Sequence, residues 1–149
     1  MKKLSTPLLM LLLCLTTAVS NAQTTKPNLF AAYPQRIDVS ETIFQNAFTS
    51  SKGQAVAIAL GSTLVFKGTV VANEFKYANL QSITIKSPEF DDAFLSISKI
   101  INDDKTVTYT GRILNSKAAD GYEIKRDAAG NYKLLKFESN RILQDCSYN

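Results

Sequence analysis

The side chains in this sequence that could act as acids, bases or metal ligands are mostly carboxylates. Two adjacent pairs, Asp91-Asp92 and Asp103-Asp104, stand out among the 13 acidic residues, and the chain contains no histidine. Without histidine, Ser-His-Asp catalysis, Cys-His catalysis and histidine-bearing zinc sites are excluded. A glycosidase needs two carboxylates facing each other across a cleft. We interpret each Asp pair instead as part of a turn or a helix cap, and a small carboxylate-dependent hydrolase stays as an alternative.

Cysteines and short motifs add no chemical site. Only Cys146 remains after the signal cleavage predicted below, so an intramolecular disulfide and a thiolate metal cluster are excluded. The segment Asn102-Asp103-Asp104 lacks the spaced ligands of a calcium loop, and no P-loop or GxGxxG is present. We therefore predict no catalytic, metal or cofactor residue, no cofactor, and a protein that is not an enzyme. Aromatic residues that could line a sugar or lipid site are Tyr109, Tyr122 and Tyr132.

The first 22 residues have the pattern of an export signal. Lys2 and Lys3 precede a short apolar run, and Ser20 and Ala22 provide the small residues of a cleavage site. We predict cleavage after Ala22 and a mature chain of residues 23–149 in the periplasm or outside the cell. The apolar run is too short to cross a bilayer, so we expect no transmembrane segment.

The mature chain is nearly balanced in charge. Removing Lys2 and Lys3 from 17 basic residues leaves 15 against 13 acidic residues, a net charge of +2. The adjacent basic pair Lys125-Arg126 stands among Asp120, Glu123 and Asp127. Because nucleic-acid binding requires a clustered basic patch, we expect no nucleic-acid partner.

The clearest structural pattern is a β-hairpin over residues 63–87. Apolar and polar residues alternate with period two in both halves, which is typical of antiparallel strands with one buried face. Gly68 suggests a bulge or bend, and Pro88 is expected to end the second strand. We predict a polar turn over residues 73–79 whose aromatic residues, Phe75 and Tyr77, fold back on the core. If exposed, these two are the candidate partner surface.

The remaining segments predict one helix and further strands. The helix is expected at residues 40–50, capped by Asp38 or Ser40, and residues 29–33 should dock on the core. Residues 90–101 fit both helical and strand spacing; we favour a strand over 94–101 after a helical turn at 88–92. Other strands are predicted at 54–60, 106–114, 121–126 and 132–138.

Short connections between strands imply antiparallel neighbours and hence a meander. We predict a mainly β fold at the border of α+β: one N-terminal helix packed on a curled antiparallel meander of about seven strands, forming a barrel or half-barrel. Residues 23–149 should form a single domain with a loose N-terminal tail. The oligomeric state is left open.

Four short segments resemble small secreted proteins of the Bacteroidota, which carry no assigned activity. They are residues 109–114 (YTGRIL), 119–123 (ADGYE), 130–132 (GNY) and 144–146 (QDC). The resemblance implies an envelope or secreted setting and transfers no site residues. We thus expect an exported, non-catalytic binding module for an unknown protein or small-molecule ligand. The alternatives are a barrel that carries a small apolar ligand and the hydrolase named above.

Overall fold

The computed structural model describes residues 26–138, which form one eight-stranded antiparallel sheet and one short helix, α1 (Glu41–Ala47). The predicted signal peptide, its cleavage site and Cys146 lie outside the described residues. The strands are β1 (Arg36–Val39), β2 (Ala55–Leu60), β3 (Leu64–Tyr77), β4 (Leu80–Ser87), β5 (Ala93–Ile101), β6 (Val107–Leu114), β7 (Asp120–Arg126) and β8 (Tyr132–Glu138).

The sheet confirms the predicted mainly β, curled meander. Strands β2 to β8 follow one another in space as they do in sequence, and the sheet curls into a half-barrel. Its two edge strands come close together: a Cβ added to Gly61, directly after β2, would lie 2.4 Å from the Ile37 Cγ2 atom of β1. Gly61 also has a φ of +75°. Glycine suits this turn because the position leaves no space for a Cβ and because glycine adopts positive φ without strain.

The sheet has eight strands where about seven were predicted, and the helix is shorter than predicted. Arg36–Val39 forms β1, which pairs antiparallel with β8, because Ile37 and Val39 alternate inward with the exposed Arg36 and Asp38. Asp38 lies within β1, where its carboxylate pairs with Arg36 (2.8 Å), and so it is not at the cap position of the helix. Ser40 occupies the cap position, yet its side chain makes no capping hydrogen bond.

The predicted polar turn at residues 73–79 is wrong. β3 continues to Tyr77, and the turn consists of Ala78 and Asn79 alone. The register shifts between Val70 and Ala72, close to the bend expected at Gly68, and shifts again between Phe75 and Tyr77. Paired strands can extend past the core when their exposed positions are charged or polar, and this segment carries both kinds of residue. The next ambiguous segment is resolved as predicted: Pro88–Phe90 is a single 3₁₀ turn, and β5 follows.

The core lies on one side of the sheet, which we call the inner face. At one end, Phe44 of α1 packs on Tyr109 and Tyr132 with ring centroids 5.5 and 5.4 Å apart. At the other end, the turn Leu29–Tyr33 inserts Phe30, which is fully buried against Phe90 and Tyr122. The segment 29–33 thus docks on the core as predicted. The inner face is covered by the chain's own aromatic and aliphatic side chains.

Opposite charges hold the two ends of this N-terminal turn. The buried Asp120 carboxylate accepts hydrogen bonds from the backbone N–H groups of Leu29 (2.7 Å) and Phe30 (3.0 Å). The Lys136 ammonium donates to the carbonyl oxygens of Phe30 (2.6 Å) and Tyr33 (2.5 Å). A carboxylate thus satisfies the free N–H groups and an ammonium satisfies the free carbonyls, as in a capped helix.

Candidate functional site: a groove on the outer face

A groove of about 590 Å³ opens on the side of the sheet away from the core, which we call the outer face. Its floor consists of Phe94 of β5, Leu114 of β6 and Phe137 of β8. Phe94 and Leu114 face each other across neighbouring strands, and each is 42% exposed. Exposed apolar side chains that cluster on one surface are typical of a binding site, whereas single ones are common everywhere.

A glycine allows the third floor residue to lie flat. Gly121 of β7 pairs directly with Phe137, and a Cβ at position 121 would lie 2.8 Å from Phe137 Cζ and 2.5 Å from the Ile113 carbonyl oxygen. The phenyl ring therefore occupies the space that a side chain on β7 would fill. The absence of a Cβ here connects the apolar surfaces of Phe137 and Leu114 across β7.

Two loops form the rim of the groove, and one amide joins them. The Asn115 side chain, just after β6, donates hydrogen bonds to the carbonyl oxygens of Phe90 (3.1 Å) and Asp91 (2.7 Å). Its own Oδ1 atom accepts a hydrogen bond from the Lys117 N–H (2.8 Å). The loop after β6 and the turn before β5 are thus held at a fixed separation above the floor.

The rim contains unusual backbone. Asp91 and Asp92 both have positive φ values, 47° and 65°, in the left-handed region that glycine favours. Each such residue costs about 1–2 kcal/mol, and this kind of strain is concentrated at binding and active sites. The Asn115 bonds to this segment help to hold it in that conformation.

The groove is lined by more positive than negative charge. Four cationic residues, Lys26, Lys86, Arg112 and Lys117, line it together with only two anionic ones, Asp91 and Asp92. The Lys86 ammonium pairs with Asp92 (3.1 Å), and the Lys117 ammonium lies 3.6 Å from Asp91. Lys26 is exposed and forms no ion pair with a residue in the described range 26–138. The surplus favours a negatively charged ligand.

Arg112 is held from outside the groove. Its guanidinium lies 3.1 Å from Glu123, which Lys125 also contacts at 3.0 Å. Burial by itself would raise the pKa of Glu123, but the hydrogen bonds from Lys125 and Arg112 outweigh it and lower that pKa. Glu123 is therefore ionised at neutral pH and holds the Arg112 guanidinium in an ion pair.

Three of the four carboxylates singled out in the sequence, Asp91, Asp92 and Asp104, have structural partners. Asp91 and Asp92 both line the groove, where each lies against a lysine. Asp103 and Asp104 lie in the turn between β5 and β6, as interpreted, and Asp104 accepts hydrogen bonds from Thr106 that lower its pKa. Within residues 26–138, no group of three or more acidic or thiol side chains could hold a metal ion.

Phe75 and Tyr77 are exposed, which corrects the expectation that they fold back on the core. They are 70% and 71% exposed, at the end of the long β3–β4 hairpin, and neither lines the groove. Because the register shifts between them, Phe75 pairs with Gln81 and Tyr77 pairs with Leu80. Leu80 and Gln81 are adjacent in β4 and point to opposite faces of the sheet, so their partners Tyr77 and Phe75 do so too. The two residues therefore do not form a single surface. The tyrosines considered for a ligand site, Tyr109, Tyr122 and Tyr132, are all buried in the core.

Sequence reasoning missed the three floor residues, although a signal was present. Adjacent residues of a strand point to opposite faces, so two consecutive apolar residues put one of them on the outer face. The pairs Phe94-Leu95 and Ile113-Leu114 have this form. Their convergence with Phe137 depends on strand register, which the sequence pattern does not reveal.

No helix within residues 26–138 has the length and apolar character needed to cross a membrane. The chain matches no protein-family model, and neither a curated protein nor a solved structure is significantly similar to it.

Proposed function

We propose that this chain is an exported, non-catalytic binding module whose outer-face groove holds a small ligand with an apolar body and an anionic head. The observation that carries the proposal is the apolar floor of Phe94, Leu114 and Phe137 beneath a rim with surplus positive charge. Its volume of about 590 Å³ lies in the range typical of small-molecule sites. The export signal predicted from the pattern of residues 1–22 supports the setting.

The floor and the rim suit the two parts of such a ligand. The apolar body would cover the exposed surfaces of Phe94 and Leu114, which gain most from being removed from water. The anionic head would lie at the rim near Lys26 and Lys117, whose ammonium groups are exposed. Ion pairs at such exposed positions contribute little alone, so the charge sets orientation more than affinity.

In the carrier alternative the apolar ligand lies inside the barrel, whereas the groove would hold it on the outer face of the half-barrel. The inner face is covered by buried side chains such as Phe30, Phe66 and Tyr122. The hydrolase alternative is less favoured because Asp91 and Asp92 each lie against a lysine, and a carboxylate pair across a cleft must leave room for substrate and water.

The test is a binding titration of the exported protein with decanoate and with 1-decanol, followed by NMR or calorimetry. We expect decanoate to bind more tightly than the alcohol and to perturb the resonances of Phe94, Leu114 and Phe137. Leu114→Ser should weaken binding about tenfold, roughly 1.4 kcal/mol. Leu135→Ser is the matched control, since Leu135 is 38% exposed and does not line the groove.

Three results would contradict the proposal. One is equal loss of binding in Leu114→Ser and Leu135→Ser, which would indicate non-specific adsorption. Another is resonance changes confined to the inner face. The third is tighter binding of the alcohol than of the carboxylate, which would remove the role of the positive rim.

A further inference from the structure

The outer part of β3 has an open edge. β2 pairs with β3 only from Leu64 to Thr69, and Val70 exchanges its backbone hydrogen bonds with Gly53 and Gln54. The Asn73 side chain then donates to the carbonyl oxygens of Phe48 and Ser50. Beyond this point, no strand in the described part of the chain pairs with Glu74–Tyr77 on that side. Open edges of this kind accept further strands.

This edge is held by a wide sheet and is not a loose hairpin. β4 pairs with β5 along its whole length, from Leu80 opposite Ile100 to Ser87 opposite Ala93. The turn residue Asn79 is tied to the end of β5, because its carbonyl oxygen accepts a hydrogen bond from the Ile101 N–H (2.9 Å). The open edge is therefore ordered before any partner arrives, which lowers the entropic cost of binding.

The residues on this edge are self-complementary in charge. Glu74 and Lys76 flank Phe75, and the two charged side chains are about half exposed and paired with each other at 2.5 Å. If a second copy approaches antiparallel with Phe75 opposite Phe75, Glu74 of each chain faces Lys76 of the other. Opposite charges placed in this way favour pairing, whereas like charges would oppose it. Two exposed phenyl rings would also meet at the two-fold axis.

We propose that two copies of this chain associate through their β3 edges, antiparallel and centred on Phe75, so that the two sheets become continuous. The shared segment is short, so the dimer is weak and forms at high local concentration. The groove lies elsewhere on the sheet and stays open in each copy.

Analytical ultracentrifugation of the exported protein from about 1 μM to about 1 mM, the range of weak association, tests the proposal. Glu74→Lys and Lys76→Glu each place like charges opposite one another, so each variant should dimerise at least about tenfold more weakly. An equal mixture of the two variants should recover association, because only the mixed dimer pairs opposite charges at both positions. Circular dichroism confirms that each variant is folded.

The matched control is Asp38→Lys. Asp38 and Arg36 form an ion pair of the same spacing on β1, whose outer side is approached by Gly61, so this change should leave dimerisation as in the wild type. A wild-type chain that is monomeric throughout the concentration range overturns the proposal. So does a dimer that ignores both charge reversals, or a mixture that fails to recover association. If the β3 edge pairs only with an added extended peptide, the edge serves another partner, and this result would equally overturn the proposal.

Discussion

Replacing Asp120 by alanine should release the N-terminal turn that covers one end of the core. The carboxylate is 5% exposed and is bonded to the N–H groups of Leu29 and Phe30, which are 2.7 and 3.0 Å from its oxygens. Hydrogen bonds to charged groups contribute about 1.5–3 kcal/mol each to stability. The alanine variant loses these bonds, but it also avoids the cost of burying a carboxylate, which offsets part of the loss. We therefore expect Asp120→Ala to cost about 2–4 kcal/mol.

Asp120→Asn should cost less, about 1–2 kcal/mol. The remaining amide oxygen can still accept the Leu29 N–H, but the amide nitrogen then faces the Phe30 N–H, and two donors cannot bond. For a domain of this size, 1 kcal/mol corresponds to about 4 °C in Tm. The expected shifts are thus about 4–8 °C for asparagine and about 8–16 °C for alanine.

The assay combines urea unfolding with amide hydrogen exchange. Exchange at Phe30 should accelerate in both variants more than exchange at Ile83, which is buried in β4. Asp104→Ala is the matched control, because the exposed Asp104 accepts two hydrogen bonds from Thr106 that water can replace. Its loss of stability should be smaller.

Lys136→Met completes a double-mutant cycle. Because Lys136 holds the carbonyl end of the same turn, the double variant should lose less than the sum of the single losses. If Asp120→Ala changes the stability by less than about 0.5 kcal/mol and leaves exchange at Phe30 unchanged, the carboxylate does not hold the turn. Strict additivity with Lys136→Met would show that the two residues act independently.

Two further predictions concern buried hydroxyl groups. Burial, above all, raises the pKa of Tyr122 to about 12, so the folded state favours the neutral phenol. The stability that the neutral phenol contributes is complete below pH 10 and is lost as the pH rises from 10 to 12. Tyr122→Phe should cost about 1 kcal/mol of stability at neutral pH, because it removes the hydrogen bond to the Pro34 carbonyl. The variant should also lose less stability than the wild type between pH 10 and 12 in unfolding curves. An unchanged loss of stability over that pH range would contradict the assignment. Ser87 is fully buried, and its hydroxyl has no hydrogen-bond partner among the described residues, so Ser87→Ala should raise the unfolding free energy by about 1 kcal/mol; a clear loss of stability would refute this.

The periodicity of apolar residues was sufficient to predict most of the fold. Successive side chains of a strand point to opposite faces, so a sheet with one buried face requires apolar residues at every second position. Seven strands, the 3₁₀ turn at Pro88 and the docking of residues 29–33 follow from local pattern and turn residues. β1 was missed because it has only four residues and adjoins a helix, so its pairing with β8 depends on contacts about 100 positions away in sequence. The end of β3 was misread because residues 73–77 are polar enough to resemble a turn, while pairing with β4 keeps them extended.

The candidate groove and the charged clamp are tertiary features. Asp120 and Lys136 look like ordinary members of a loop and a strand, and only the fold brings them to opposite ends of the turn at residues 29–33. The sequence alone determined the β meander and the absence of histidine chemistry, because these depend on composition and local spacing, and it predicts an export signal on the same basis. Which apolar residues meet on the outer face, and that Phe75 and Tyr77 separate to opposite faces, was decided by strand register, since a shift of one residue exchanges the two faces of a strand.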